Sequence, residues 1–169
     1  MFDAELMQQA LRLIETARAA GKRIATAESC TGGLLAGLLT QIAGSSAVLE
    51  RGFVTYSNEA KTGMLGVETH VIDDHGAVSA AVVRAMVLGA LQHSRAEIAV
   101  AITGIAGPGG GSETKPVGLV YLGCASRNGE VVISKQKFGD AGRQNVRRAA
   151  LVEALALLQG AVGQAVARP

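Results

Sequence analysis

The sequence predicts an α/β fold: a single layered domain in which a mixed β-sheet carries helices on both faces. Three observations predict it. Short β-rich segments alternate with stretches whose apolar residues recur at helical spacing, the order of a layered α/β unit. Ile98-Ala99-Val100-Ala101-Ile102 is apolar at every position, as a central strand buried on both faces must be. Two further β-rich runs flank Asn128-Gly129, a dipeptide that accepts the positive φ angles of a tight hairpin, so an antiparallel pair joins the sheet.

The elements follow in order. Residues 3–20 place Leu6, Ala10, Ile14 and Ala17 on one helical face, with Gly21 just past the end. Lys22-Arg23-Ile24-Ala25 reads as the end of a buried strand. Leu34, Leu35, Leu38, Leu39 and Ile42 then recur at helical spacing until Gly44. Residues 48–56 hold Val48, Phe53, Val54, Thr55 and Tyr56 and read as a second strand. Ser57-Asn58 would cap a short helix over 59–64, and residues 66–77, with Gly66, Asp73-Asp74 and Gly76, read as a loop with at most a helical turn. Ser79 caps a helix carrying Val82, Val83, Met86, Val87 and Ala90. The strand at 98–102 enters the glycine-rich stretch 103–112, and strands over 117–125 and 131–138 form the hairpin. A last helix runs from 143 to about 160, with Val146, Ala150, Leu157 and Leu158 inward. No internal repeat or linker divides the chain, so one domain over 1–169 is expected.

Composition narrows the function. Tryptophan is absent and aromatic residues make up 3%, so the core is built from Ala, Val, Leu and Ile. The net charge is +2 with Lys and Arg scattered, which argues against a nucleic-acid partner because duplex binding needs a basic face. Cys30 and Cys124 are far apart and form neither a zinc pattern nor a disulfide framework, which suits a reducing cytoplasm. Cys124, in an apolar strand, is most simply a core residue. Asp3 and Glu5 stand where a signal peptide would be basic, and no uncharged apolar run is long enough for a membrane span.

Four places carry candidate chemistry. In Thr26-Ala27-Glu28-Ser29-Cys30-Thr31-Gly32-Gly33 a strand turns into a helix, where free backbone N–H groups and the helix dipole could hold a developing oxyanion beside a nucleophile. Ser29 or Thr31 could equally serve as a plain N-cap. Tyr56 and Lys61 span a strand end and a helix start and could share one cavity. An apolar setting (Ala60, Met64, Leu65) would lower the Lys61 pKa and let its amine activate a serine, whereas taken alone a solvated lysine on a short helix is the commoner arrangement. Thr103-Gly104-Ile105-Ala106-Gly107-Pro108-Gly109-Gly110-Gly111-Ser112 leaves the end of a central strand, where α/β ligands collect. It lacks the spacing of a Walker or dinucleotide loop. Arg143 and Arg147, four apart at the start of the last helix, suit a phosphate, although a solvated helix face is the commoner explanation of such a pair. Among rivals, Cys30 at a helix N-terminus would have a lowered thiol pKa, but His70, His75 and His93 offer no distinctive base. Asp73, Asp74 and His75 match no metal-site spacing.

In combination, Thr26-Ala27-Glu28-Ser29-Cys30-Thr31-Gly32-Gly33, Gly52-Phe53-Val54-Thr55-Tyr56-Ser57-Asn58-Glu59-Ala60-Lys61, Gly76-Ala77-Val78-Ser79, Gly104-Ile105-Ala106-Gly107-Pro108 with Gly110-Gly111-Ser112, and Lys115-Pro116-Val117-Gly118 closely resemble the CinA C-terminal-domain family. These are the competence/damage-inducible proteins, whose stand-alone members are bacterial nicotinamide mononucleotide deamidases. The resemblance spans residues 5 to 160 and implies an amidohydrolase that converts nicotinamide mononucleotide and water to nicotinic acid mononucleotide and ammonia, with no metal or cofactor. It implies Ser29 as nucleophile with Lys61 as its base, and Tyr56 and Thr103 as further site positions. Tyr56 would orient Lys61 or relay its proton. Backbone N–H groups of Cys30 or Thr31, with Thr103, would hold the oxyanion beside Gly32 and Gly33. Gly104, Gly107, Gly110, Ser112 and Arg143 would bind the nucleotide. The family's Gly-Asp-Arg run before the last helix reads Gly139-Asp140-Ala141-Gly142-Arg143 here, which gives the arginine role to Arg143. The expected partner is a small nucleotide substrate, and alanine-rich helix faces are compatible with a homo-oligomer. Two other readings remain: a nucleotide-binding or interaction module without turnover, and a Cys30 hydrolase.

Overall fold

The structure is a computed structural model that describes residues 2–127 and 129–167. Its strands are β1 (Ile24–Glu28), β2 (Leu49–Val54), β3 (Ile98–Gly104), β4 (Leu119–Ser126) and β5 (Val132–Lys137), in one sheet of order β2–β1–β3–β4–β5. β1 pairs parallel with both β2 and β3, whereas β3–β4 and β4–β5 are antiparallel. The sheet is therefore mixed, as expected. The hairpin partners are in place, although Asn128 itself lies outside the described residues.

The strand pleat divides the side chains between two cores. Along β3, Ile98, Val100 and Ile102 enter one cluster, and Ala99 and Ala101 enter the other. The bulky side is covered by α1 (Ala4–Ala19), α2 (Leu34–Leu39) and α6 (Arg143–Ala167), through residues such as Leu13, Leu38 and Leu155. The alanine side is covered by α3 (Asn58–Leu65), α4 (Thr69–His75) and α5 (Ala80–Gln92), through Leu65, Ile72 and Met86. Small residues on that face let α5 approach closely: a Cβ built on Gly123 would stand 3.2 Å from the Val83 carbonyl oxygen. This is the helix–sheet–helix sandwich that the element order predicts.

Several boundaries differ from expectation. β1 continues to Glu28 and β3 to Gly104, so Glu28 and Thr103 belong to strands. Both are buried and paired by neighbouring strands, a tertiary environment that outweighs the weak strand propensity of Glu28 and agrees with the strong one of Thr103. The stretch read as loop over 66–77 contains α4, which buries Ile72. The leucine-rich α2 is only 6 residues long, and a single 3-10 turn, Ser45–Ala47, follows it. α6 runs past Gly160 because Val162 still packs into the core, and Leu157 is only half-buried while Leu151, Ala154 and Leu155 face inward. Among the described residues no helix is long and apolar enough to cross a membrane.

Candidate active site

The three parallel strands all end at one edge of the sheet, and each delivers a piece of the site there. Glu28 at the end of β1 pairs with Val54 on β2 and Ile102 on β3. One residue further, the Ser29 N–H donates to the Ile102 carbonyl at 2.9 Å and the Thr55 N–H donates to the Glu28 carbonyl at 2.8 Å. Ser29 and the segment leading to Lys61 are thus fixed to the sheet by backbone bonds. The chain then parts, with α2 joining one core and α3 the other. Such divergence opens a crevice beyond strand ends in α/β sheets.

Ser57 starts α3, its Oγ accepting the Ala60 N–H at 3.0 Å. Lys61 on the first turns of α3 folds back toward that end, the direction helical side chains favour. Its Nζ lies 2.9 Å from the Thr55 carbonyl oxygen, 3.4 Å from the Ser57 carbonyl oxygen and 3.1 Å from Ser29 Oγ. Lys61 is 1% exposed and Ser29 9%. No carboxylate bonds the Lys61 amine among the described residues. Burial pushes the Lys61 pKa down; negative charge at Cys30 or Glu59 would act the other way and is the smaller effect. The meeting of Ser29 and Lys61 inferred from sequence is present in the fold.

The turn after Ser29 differs from expectation in one important respect. The first amides of α2 are not free: Glu28 Oε2 accepts from Gly33 N at 3.1 Å and Leu35 N at 3.0 Å, and Oε1 accepts from Ala36 N at 2.9 Å. The helix N-terminus therefore cannot hold an oxyanion, because a buried carboxylate already occupies it. The amides of Cys30 and Thr31 have no protein acceptor among the described residues. Gly32 and Gly33 adopt φ of +60° and +92°, a left-handed course that other residues resist. Sequence reading missed the role of Glu28. The available signal was a lone acid in an otherwise uncharged strand, followed by a helix start with no side-chain cap.

The other site residues fall into separate contacts. Cys30 is 6% exposed, and burial pushes its thiol up to about 11 despite the nearby Arg147 and Arg143 charges. The expected thiol activation is overturned, since desolvation outweighs the turn's electrostatics. The Thr31 carbonyl accepts from Arg147 Nη2 at 2.8 Å, while the buried Thr31 hydroxyl has no partner. Tyr56 does not reach Lys61. It is 60% exposed, and its hydroxyl accepts from Arg143 Nη2 at 2.8 Å. Arg143 Nη1 also donates to the Gly107 carbonyl at 3.0 Å, so this guanidinium joins the β2 end to the glycine-rich loop. Tyr56 follows Thr55, whose backbone is bound to β1, and its side chain turns to solvent instead of toward Lys61.

Thr103 is buried on β3 and donates its hydroxyl to the Ala77 carbonyl at 2.8 Å. That bond ties the 76–79 segment to the sheet, so the hydroxyl is not free as an oxyanion donor. Gly104 packs against β4, where a Cβ would meet the Leu119 carbonyl oxygen at 2.9 Å. Gly110 and Ser112 are exposed on the outer loop, with Ser112 Oγ accepting from Lys115 N at 3.1 Å, and neither bonds a residue around Ser29. Asp73, Asp74 and His75 are exposed on α4, and no group of three His, Cys, Asp or Glu among the described residues could hold a metal ion.

The chain is 52% identical over 159 residues to the Escherichia coli K12 protein named nicotinamide-nucleotide amidohydrolase PncC, covering 94% of this chain and 95% of that one. It is 47% identical over 156 residues to the Enterobacter agglomerans protein of the same name, covering 92% and 94%. Among solved structures, the competence/damage inducible protein CihA of Agrobacterium tumefaciens superposes with a TM-score of 0.94 at 52% identity, covering 96% and 98% of the two chains. A CinA-superfamily protein of Klebsiella pneumoniae gives 0.89 at 36% identity, covering 94% and 98%. Residues 6–162 match the family model for the CinA C-terminal domain, and this protein belongs to that family.

Proposed function

We propose that this protein is an amidohydrolase that cleaves the carboxamide of nicotinamide mononucleotide, giving nicotinic acid mononucleotide and ammonia, with Ser29 as nucleophile and Lys61 as general base. The observation that carries the reading is the buried amine of Lys61 at 3.1 Å from Ser29 Oγ. Two of its three polar neighbours are carbonyl oxygens, which can only accept. A neutral amine has two N–H groups, which suit those carbonyls, and one lone pair, which is left for the Ser29 hydroxyl. The names and high identity of the relatives support the substrate.

The chemistry runs through an acyl-enzyme. Ser29 Oγ attacks the carboxamide carbon as its proton passes to Lys61 Nζ. The Cys30 and Thr31 amides face the developing oxyanion. Lys61 returns the proton to the departing nitrogen, which leaves as ammonia. Water then loses a proton to Lys61 and attacks the ester, and Ser29 recovers its proton from Lys61 as the carboxylate product departs. A positioned base contributes about 10²–10⁴-fold and a good oxyanion donor about 10²–10³-fold, both needed for so poor an electrophile. At the entrance, Arg143 is the candidate for the phosphate, since a dianion would outcompete the neutral oxygens of Tyr56 and Gly107. A small-molecule salvage reaction of this kind belongs in the cytoplasm.

Ammonia release from nicotinamide mononucleotide tests the assignment. Ser29→Ala should abolish it while leaving the thermal unfolding of the chain near that of the parent. Substrate binding by the parent chain without ammonia release would favour a nucleotide-binding module instead, and near-normal turnover by Ser29→Ala would remove the nucleophile.

A further inference from the structure

Glu28 and Arg147 take no part in the steps above, yet both grip the segment that carries them. Glu28 is 1% exposed, and its carboxylate accepts three backbone N–H groups, from Gly33, Leu35 and Ala36, with the Thr26 hydroxyl at 3.4 Å. Arg147, on α6, donates to the Thr31 carbonyl at 2.8 Å and lies against Gly32, where a Cβ would stand 3.6 Å from its Nη2. Between these anchors the backbone holds two consecutive glycines with positive φ. Glycine has the most conformational freedom to lose on ordering, so the chain is intrinsically loosest where the nucleophile must be stiffest. The anchors have complementary chemistry. An acceptor-only carboxylate takes up the donors of the turn and the first turn of α2, and a donor-only guanidinium takes up a carbonyl.

We propose that Glu28 and Arg147 are positioning residues, a carboxylate and a guanidinium that clamp the turn from Ser29 to Gly33 and so hold Ser29 and the Cys30 and Thr31 amides in their reactive arrangement. This rests on the reading of Ser29 as the nucleophile. In this role neither side chain touches substrate. Glu28 closes a chord from the end of β1 to the start of α2 across the turn. Arg147 ties the middle of the turn to α6, which the core holds through Val146 and Ala150. Arg147 is thereby separated in role from Arg143, its neighbour one helical turn away, which donates to Tyr56 and to the Gly107 carbonyl.

The test is steady-state ammonia release from nicotinamide mononucleotide by the full chain, with unfolding followed by circular dichroism. Glu28→Gln keeps the shape but turns an NH2 group toward backbone donors. A displacement of about 1 Å at a reacting group costs about 10²-fold, so kcat per folded molecule should fall by about that factor with KM within about twofold. Arg147→Met keeps the apolar stem and loses the bond to Thr31, and kcat should fall about tenfold with KM unchanged. Arg147→Lys, which retains a donor, should recover part of the loss. If Glu28→Gln does not fold, the Arg147 pair decides. A rise in KM at constant kcat for Arg147→Met would make it a phosphate ligand and overturn the clamp. So would folded variants with kcat within about twofold of the parent. A parent chain that releases no ammonia, or an active Ser29→Ala variant, would instead overturn the nucleophile assignment.

Discussion

Replacing Lys61 by Met tests the buried amine through the pH dependence of stability, independently of catalysis. In the unfolded chain Lys61 titrates near the ordinary lysine value of 10.5, and in the folded chain burial sets it lower. Between those two pKa values the unfolded chain carries a proton that the folded chain lacks, so stability rises with pH across that window. The slope there approaches about 1.4 kcal/mol per pH unit for a single group. Above the upper value the penalty for burying a charge is gone; below the lower value it is complete and the curve is flat. Lys61→Met has no such group. Its loss of the bond to the Thr55 carbonyl adds a constant cost, about 1–3 kcal/mol for an unsatisfied buried acceptor, that does not vary with pH. The difference in unfolding free energy, parent minus variant, should therefore climb with pH through the alkaline range and level off at both ends. Urea denaturation of both proteins at closely spaced pH values measures it without adding salt. Parallel stability curves over the whole range would refute the argument, because they would mean that Lys61 keeps its ordinary pKa in the fold.

Three further outcomes follow from the same geometry. Under native conditions Cys30 should resist iodoacetamide, since at pH 8 a thiol at about 11 is ionised to only about one part in a thousand and is buried as well; rapid alkylation followed by mass spectrometry would contradict this. Arg143→Ala should raise KM for nicotinamide mononucleotide far more than it lowers kcat, as expected for uniform binding of the phosphate. Tyr56→Phe removes only the acceptor of one Arg143 bond and should raise KM by less than Arg143→Ala does; kcat/KM should rise with pH as Lys61 loses its proton, in this variant as in the parent, and loss of that rise in the variant would restore Tyr56 as a proton relay to Lys61.

Ser29 and Lys61 were candidates before any fold was known, because short motifs narrow the chemistry a residue can do. Alone, a serine at a strand-to-helix turn also reads as a plain cap and a lysine on a short helix as a solvated one, and similarity to a family is what joined them as parts of a hydrolase. Direction was much harder to read. Tyr56 and Lys61 are five apart and looked like partners, but one faces solvent and the other the core. Thr103 looked like a donor to substrate, but its proton is committed to Ala77, 26 residues away in the chain. Cys30 looked activated, and burial reverses that.

The amino-acid sequence by itself determined the periods and the punctuation: which segments other than α4 are helix or strand, where glycines let the chain reverse, and that the sheet is mixed. These depend on interactions between near neighbours, such as the Asp3, Ser57 and Ser79 caps and the alternation along β3. Only the tertiary structure decided which polar groups are free. Glu28 occupies the first amides of α2, which local reasoning left free, and Lys61 loses its water because its side chain folds back onto Ser29 and the Thr55 carbonyl beyond the strand ends. Solvation and hydrogen-bond commitment depend on groups brought together from distant parts of the chain, and those two quantities set whether a serine and a lysine are inert or reactive.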